Sequence, residues 1–175
     1  MSASPEEATA VTIPTEKTFS VARATNADFL DLAACDRAVW ASYPNGQNIP
    51  DGEHTWSLWC RGALTIIARS TDAEGSCIGG AVAFPNVGGP LVLHKVFVAE
   101  ASRGGGVGTA LCQAVCKELD RLSAVCFLTV NPLNERAIAT YTKFGFGGDS
   151  GSSEFVKGYY RENEDRLVLT RRPRQ

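Results

Sequence analysis

Residues 91–110 read LVLHKVFVAEASRGGGVGTA, and the rest of the chain is organised around this stretch. Leu91–Ala99 is an apolar run rich in valine, with a proline before it and a glycine cluster after it, which is typical of a buried strand. From Val107 to Leu122 the apolar residues recur at helical spacing and predict a core-facing stripe. The stretch therefore predicts a strand, a glycine-rich turn and a helix in direct succession.

The turn, residues 103–108 (RGGGVG), has the chemistry of an anion site. Its small residues let backbone N–H groups converge without obstruction, and the positive end of the following helix adds to the attraction for a phosphate. It lacks the Lys-Ser or Lys-Thr of a P-loop, and Leu111 stands where a dinucleotide-binding turn needs a third glycine or alanine. We therefore expect a pyrophosphate site of another kind.

The pattern Arg103-x-x-Gly106-x-Gly108 resembles the phosphate loop of the GNAT superfamily of acetyl-CoA-dependent N-acetyltransferases. A second block, residues 131–146 (NPLNERAIATYTKFGF), follows an apolar run at 124–130 and resembles that family's second signature, Asn-x-x-Ala-x-x-x-Tyr-x-x-x-Gly-Phe. The matching positions are Asn134, Ala137, Tyr141, Gly145 and Phe146. The first block alone would leave open a glycine-rich turn without a ligand, whereas two blocks in the family's order are much more specific.

Composition is consistent with one α/β domain. The chain has 175 residues, of which 44% are hydrophobic, enough for a sizeable core. Its net charge of -2 offers no basic surface, so we expect neither nucleic acid nor a membrane as a partner. No apolar run approaches the roughly 18 residues of a membrane span, and no signal pattern opens the sequence, so we expect a cytoplasmic protein, monomeric or homodimeric. The six cysteines and two histidines show no ligand spacing, so no metal is expected.

The predicted strands first follow one another and then alternate with helices, which indicates a mixed α/β sheet. Residues 1–18 lack an apolar period and are expected to be a flexible tail, and the resemblance covers 19–172 as one domain. The family's fold implies a mostly antiparallel sheet, splayed at its centre and flanked by about four helices. We further expect Leu30 to face the core, a strand to begin at Phe146, a flexible loop at Gly147–Ser153, and a solvated basic end at 171–174.

The resemblance implies acetyl-CoA as the cosubstrate and a role for each matched residue. Backbone N–H groups of residues 104–109 would hold the pyrophosphate, and the pantetheine would run along the main chain of residues 96–98. Asn134 would bind the pantetheine arm, and Tyr141 would protonate the departing thiolate; for Tyr141, a core tyrosine on an amphipathic helix is the alternative. The predicted cofactor-binding residues are Val96, Phe97, Val98, Arg103, Gly104, Gly105, Gly106, Val107, Gly108, Thr109, Asn134 and Tyr141.

Catalysis requires a neutral amine. An amine with a lysine-like pKa of about 10.4 is neutral in only about one molecule in 2500 at pH 7, a deficit of roughly 4.6 kcal/mol, whereas an α-amine near pKa 8 costs about 1.4 kcal/mol. His94 lies on the predicted strand and has an ordinary pKa near 6.5, so it could accept that proton directly or through water. A purely structural histidine is the alternative. Val92 stands where several relatives carry Glu, His or Tyr as a base.

The acceptor amine is left open by the sequence. In the family, the region between the first two helices lines the acceptor pocket, so Trp40, Tyr43 and Trp56 are candidate contacts, with core packing as the alternative. Tyr159 and Tyr160 resemble a Tyr-Tyr element that holds peptide in protein N-terminal acetyltransferases. A peptide or lysine acetyltransferase, a small-amine acetyltransferase and a non-catalytic acyl-CoA-binding module are therefore the candidate functions.

Overall fold

The computed structural model describes residues 18–41, 49–72, 74–148 and 151–174. The strands are β1 Phe19–Arg23, β2 Leu64–Ser70, β3 Cys77–Phe84, β4 Leu91–Val98, β5 Cys126–Val130, β6 Gly151–Val156 and β7 Arg166–Arg171. The helices are α1 Phe29–Ala41, α2 Glu53–Gly62, α3 Val107–Arg121 and α4 Glu135–Lys143. The strands form one seven-stranded sheet in the order β1-β2-β3-β4-β5-β7-β6. This confirms the predicted mixed α/β fold. Of the predicted tail, only Thr18 lies among the described residues.

Every neighbouring pair of strands is antiparallel except β4 and β5, which are parallel. The ladder between β4 and β5 contains only two pairs, Leu91 with Cys126 and Val92 with Phe127. Beyond these pairs the two strands separate, although β4 continues to Val98 and β5 to Val130. Residues 93–98 of β4 thus have an edge that β5 does not pair, and the sheet opens at its centre.

A β-bulge in β4 lies at the start of this opening. Lys95 pairs with Val82 and Leu93 pairs with Ala83, so His94 is an extra residue without a partner on β3. A bulge re-aims the side chains around it. Leu93 stays in the core layer beneath α3, whereas His94 contacts Trp59 and Lys95 contacts α1. The bulge therefore turns two successive polar side chains, His94 and Lys95, towards α1 and α2.

Two core layers cover the two faces of the sheet. On one face α3 buries most of the apolar stripe that its sequence predicts, with Val107, Leu111, Val115 and Leu119 at most 3% exposed. The prediction was wrong for the last residue of the stripe, because Leu122 is 48% exposed. The other face is covered by α1 and α2, whose core side chains meet Phe97 of β4. These two layers hold the central opening between them.

The start of α1 is capped, and its buried face departs from the sequence expectation at Leu30. Thr25 and Asp28 form a capping box, with the Thr25 amide donating to Asp28 Oδ2 at 2.7 Å. The prediction for Leu30 was wrong, because Leu30 is 52% exposed. The buried stripe instead runs through Leu32 and the acidic Asp36, which an apolar pattern assigns to the solvent side.

Three expectations near the C-terminus were also wrong. β6 begins at Gly151, inside the stretch predicted as a loop, while Phe146 is buried and followed by Gly147 at φ 70°. Arg171, predicted to be solvated, is 1% exposed. It lies on β7, an internal strand, and donates to both Asp120 carboxylate oxygens at 2.8 Å. Within the four described ranges, none of the helices is long and apolar enough to cross a membrane.

Candidate active site

A cavity of about 350 Å³ lies where β4 and β5 separate, between α3 and α4. It brings together every residue predicted to bind the cofactor except Gly105: the cavity is lined by Val96, Phe97, Val98, Arg103, Gly104, Gly106, Val107, Gly108, Thr109, Asn134 and Tyr141. Five further lining residues were not predicted to bind the cofactor: Ser102, Cys112, Arg136, Ala137 and Thr140. Two separate sequence blocks therefore form opposite walls of one cavity.

The turn before α3 supplies unpaired backbone donors to this cavity. Gly104 and Gly106 have φ values of 85° and 84°, in the left-handed region that favours glycine. The Ala110 amide makes the helical bond to the Gly106 carbonyl at 3.0 Å, so the amides of residues 107–109 precede it and lack a helical acceptor. Arg103 is held beside them, with its Nε donating to the Val98 carbonyl at 3.3 Å. This end of the cavity suits an anion.

Asn134 and Tyr141 occupy the opposite wall through α4. Asn134 is the N-cap of α4, and its Oδ1 accepts from the Ala137 amide at 3.1 Å, which leaves its Nδ2 group to donate. Tyr141 lies seven residues further along, about two turns or roughly 10 Å, on the same side. Its ring packs edge-on against Phe146 at 6.0 Å between centroids. Burial, with a smaller effect of Cys112, raises the pKa of Tyr141 and keeps its hydroxyl protonated at neutral pH.

His94 lies on the other face of the sheet and does not line this cavity. Its ring lies 5.2 Å from Trp59 and 5.4 Å from Phe84, and its Nε2 is 3.6 Å from Asp51 Oδ2. Burial lowers the pKa of His94 below its ordinary 6.5, and the Asp51 carboxylate opposes that effect. The imidazole is therefore mostly neutral at pH 7, the form in which it can accept a proton.

A buried carboxylate organises the surroundings of His94. Asp36 is 0% exposed and accepts from Lys95 Nζ on both oxygens, at 3.1 and 3.0 Å. It also accepts from the indole N–H groups of Trp40 and Trp56, the latter at 3.1 Å. Both tryptophans were proposed from the sequence as contacts of the acceptor amine. In the structure they hydrogen-bond to Asp36, and Trp56 is 0% exposed. The Asp51 amide donates to the same carboxylate at 2.8 Å.

The remaining acceptor candidates lie at the other edge of the opening or outside the described ranges. Tyr160 is 61% exposed and its hydroxyl is 2.9 Å from Thr129 Oγ1 on β5. Thr129 alternates with the buried Leu128 and Val130, so it points to the face that carries His94. Tyr159 packs edge-on against Tyr160 at 4.7 Å. Tyr43 lies outside the described residues.

Sequence reasoning missed Asp36, Lys95 and Arg136. Asp36 interrupts the apolar stripe of α1 and Lys95 interrupts an apolar strand. Two opposite charges at core-facing positions of different elements are a readable signal for a buried ion pair. Arg136 lies in the first turn of α4 and appears as an ordinary exposed residue until the fold places it on the cavity wall.

Comparison with solved structures supports the same fold. The ribosomal-protein-S18-alanine N-acetyltransferase from Escherichia coli superposes with a TM-score of 0.69 at 18% identity, covering 90% of this chain and 95% of that one. A GCN5-related N-acetyltransferase from Kribbella flavida gives 0.67 at 24%, covering 90% and 99%. Arabidopsis thaliana Naa50, in complex with the bisubstrate analogue CoA-Ac-MVNAL, gives 0.64 at 20%, covering 88% and 98%.

A search of curated protein sequences found no match to the chain. The family model described as Acetyltransferase (GNAT) family matches residues 32–146, from α1 to the end of the second sequence block. That range includes the glycine turn, the opened sheet and Tyr141. The chain therefore belongs to the GNAT acetyltransferase family and is an N-acetyltransferase.

Proposed function

We propose that this protein transfers the acetyl group of acetyl-CoA directly to a primary amine, with Tyr141 as general acid and His94 as general base. The observation that carries the proposal is the single cavity at the opened sheet, which joins the glycine turn to Tyr141. A phosphate-binding end and a proton donor in one cavity match a phosphate-bearing thioester whose sulfur must be protonated as it leaves.

The residues of the cavity fit acetyl-CoA along its length. The amides before α3, with Arg103, would hold the pyrophosphate, and Arg136 on the facing wall adds a second positive charge. The edge of β4 that β5 leaves unpaired at residues 96–98 offers main-chain groups to the two amides of pantetheine, as a neighbouring strand would. Asn134 Nδ2 is available to a pantetheine carbonyl. When bound, the cofactor supplies an activated thioester.

The protein's residues would then move two protons. His94 accepts a proton from the ammonium, directly or through water, so that the amine nitrogen can attack the carbonyl carbon. The C–N bond forms and the C–S bond breaks, and the departing sulfur receives a proton from Tyr141, which recovers it from solvent. Tyr141 packs on the α3 side of the sheet and His94 on the α2 side, so the two groups approach the opening from opposite faces.

The proposal specifies direct transfer without an acetyl-enzyme intermediate. Cys112 is the thiol that lines the cavity, and burial raises its pKa to about 12. The thiolate is the nucleophilic form of cysteine, so Cys112 is poorly suited to take the acetyl group at neutral pH. Incubation with acetyl-CoA alone should leave the protein mass unchanged. A stable mass increase of one acetyl group that is lost in Cys112→Ser would contradict direct transfer.

Charge near His94 favours a cationic acceptor. Asp36 and Asp51 carry two negative charges against the single positive charge of Lys95, with His94 neutral. A peptide amine is the second candidate, because the hydrogen bond of Tyr160 to Thr129 supports a place for the Tyr159–Tyr160 pair beside the opening. A small cationic amine would instead depend on the Asp51 side.

The test measures release of free thiol from acetyl-CoA with three sets of acceptors: peptides with a free α-amine, lysine peptides, and small amines. Turnover with peptides that weakens in Tyr160→Ala would assign a protein acetyltransferase. Turnover with small amines that is insensitive to Tyr160→Ala would assign a small-amine enzyme. CoA binding by calorimetry without turnover of any amine would favour the non-catalytic acyl-CoA-binding module over the proposed function.

A further inference from the structure

The face of the sheet that carries His94 contains a buried ion pair, which packing alone does not require. Asp36 and Lys95 form an ion pair with side chains 0% and 9% exposed. Such a pair must recover the cost of removing both charges from water, and apolar residues of similar volume often serve stability as well or better. A buried pair at this place therefore suggests a role in arranging the site.

The pair fixes the position of Asp51. The Asp51 amide donates to Asp36 Oδ2 at 2.8 Å, and the Asp51 carboxylate accepts a hydrogen bond from Lys95 Nζ. Asp36 in turn accepts hydrogen bonds from two indole N–H groups, one on α1 and one on α2. Backbone and side chain of Asp51 are thus both tied to buried charges, although its side chain is 25% exposed.

Asp51 lies beside His94. Its Oδ2 is 3.6 Å from His94 Nε2, close enough for a strong charge interaction but longer than an ordinary hydrogen bond. Trp59 and Phe84 hold the other sides of the imidazole ring, at 5.2 and 5.4 Å between centroids. With Nε2 directed at a fixed carboxylate, Nδ1 is the ring nitrogen left for another partner.

We propose that Asp51, anchored by the Asp36–Lys95 ion pair, is the positioning residue for His94: it orients the imidazole with Nε2 towards the carboxylate and Nδ1 towards the acceptor amine. This proposal rests on the proposed function in one respect, the role of His94 as general base. It adds the residue that sets the orientation and proton affinity of that base.

The charges around His94 determine the direction in which its pKa should change in the Asp51 variants. Among the residues that the structure describes, the charged groups facing His94 are Asp51, Lys95 and Asp36. Burial and Lys95 lower the pKa of His94, while Asp51 and the more distant Asp36 raise it. Asp51→Asn removes the nearer raising charge, so the pKa of His94 should fall further. Asp51→Glu keeps the charge and should restore most of the wild-type value.

The first readout is an NMR titration of the histidine ring protons in wild type, Asp51→Asn and Asp51→Glu. The chain has two histidines, so His94→Ala identifies the His94 signal, and the exposed His54 is an internal control in each spectrum. We expect the His94 midpoint to move to lower pH in Asp51→Asn. A His94 midpoint that stays in place, or rises, would overturn the proposal.

The second readout is the pH dependence of kcat/KM with an acceptor found by the amine panel. In Asp51→Asn the acidic limb should move to lower pH and kcat should fall about 10- to 100-fold, with KM for acetyl-CoA unchanged. A fall in kcat without movement of the limb would mean a merely structural role. An acidic limb that persists in His94→Ala would remove the base and this proposal together. If wild type turns over no amine, the proposed function fails, and the NMR titration still decides the Asp51–His94 coupling.

Discussion

Tyr141 combines a partly buried ring with a hydroxyl, and the residue lines the cavity. Tyr141→Phe removes that hydroxyl and leaves the packing against Phe146 in place. We expect kcat to fall by about 10²- to 10⁴-fold, because the thiolate then leaves without a positioned proton donor. CoA affinity, measured by calorimetry, should be unchanged, since the phosphate end of the cavity is untouched. An unchanged kcat would assign Tyr141 a purely structural role.

At the same scale, the residues that sequence could predict are those with a fixed local pattern. Asn134 and Tyr141 stand seven residues apart on one helix, so their shared side followed from helical geometry. Asp36 and Lys95 are 59 residues apart and meet only through the packing of α1 on β4. No local periodicity links them, and the bulge that re-aims Lys95 is visible only in the register of β3 and β4.

The junction of β4 with α3 depends on backbone conformation. Gly106 is the N-cap of α3 at φ 84°, and Gly52 is the N-cap of α2 at φ -74°. Alanine at either position is a poorer N-cap, but only at Gly106 must it also adopt a left-handed conformation, at roughly 1–2 kcal/mol. No atom lies within 4 Å of a Cβ at either site, so no steric clash intervenes.

We therefore expect Gly106→Ala to lower Tm by about 2–8 °C relative to Gly52→Ala, and to weaken CoA binding as the amides before α3 shift. Calorimetry of the two variants side by side provides the measurement. Because both variants exchange a glycine N-cap for alanine, their difference isolates the left-handed backbone. Equal melting temperatures would show that the turn tolerates a side chain without strain.

For whole elements, sequence prediction succeeded where polarity and periodicity agreed. β4 begins at Leu91, where the predicted strand begins, and α3 begins at Val107 as its stripe indicates. β6 was not predicted because the first four residues of its sequence, GSSEFV, are not apolar. β6 is also an edge strand, which pairs only with β7. The pairing partner, rather than any local propensity, makes it a strand.

Across the whole molecule, the C-terminal strand is fastened to α3 and α4 by one buried arginine. Arg171 donates to both Asp120 oxygens and to the Phe144 carbonyl, each at 2.8 Å. Among the residues that the structure describes, its buried Nη1 has no hydrogen-bond partner, so the guanidinium is already incompletely satisfied. An arginine near the end of the sequence is expected to face solvent. Arg171 is buried because β7 lies between β5 and β6 in the sheet, which the sequence does not reveal.

Asp120→Asn should therefore destabilise the fold far more than a comparable surface change. The substitution leaves Arg171 buried without its counter-charge and should lower the free energy of unfolding by about 2–4 kcal/mol. This cost is near the lower end of the range for a broken buried ion pair, because Asp120 is 29% exposed. Glu53→Gln is the matched control, since it makes the same carboxylate-to-amide change in the exposed pair with Arg37 and should cost about 0–1 kcal/mol. Urea unfolding at pH 7 measures both variants.

The same pair predicts how stability depends on pH. Burial by itself would raise the pKa of Asp120, but the Arg174 amide and the Arg171 guanidinium outweigh it and hold that pKa below the usual 3.8. A carboxyl with a lowered pKa in the folded state contributes stability that is complete above its unfolded pKa and is lost as pH falls through the folded value. The difference in unfolding free energy between wild type and Asp120→Asn should be constant from pH 7 to about pH 5 and shrink below about pH 4. A gap that stays constant into acid would mean that the lost stability comes from packing rather than from the charge of Asp120.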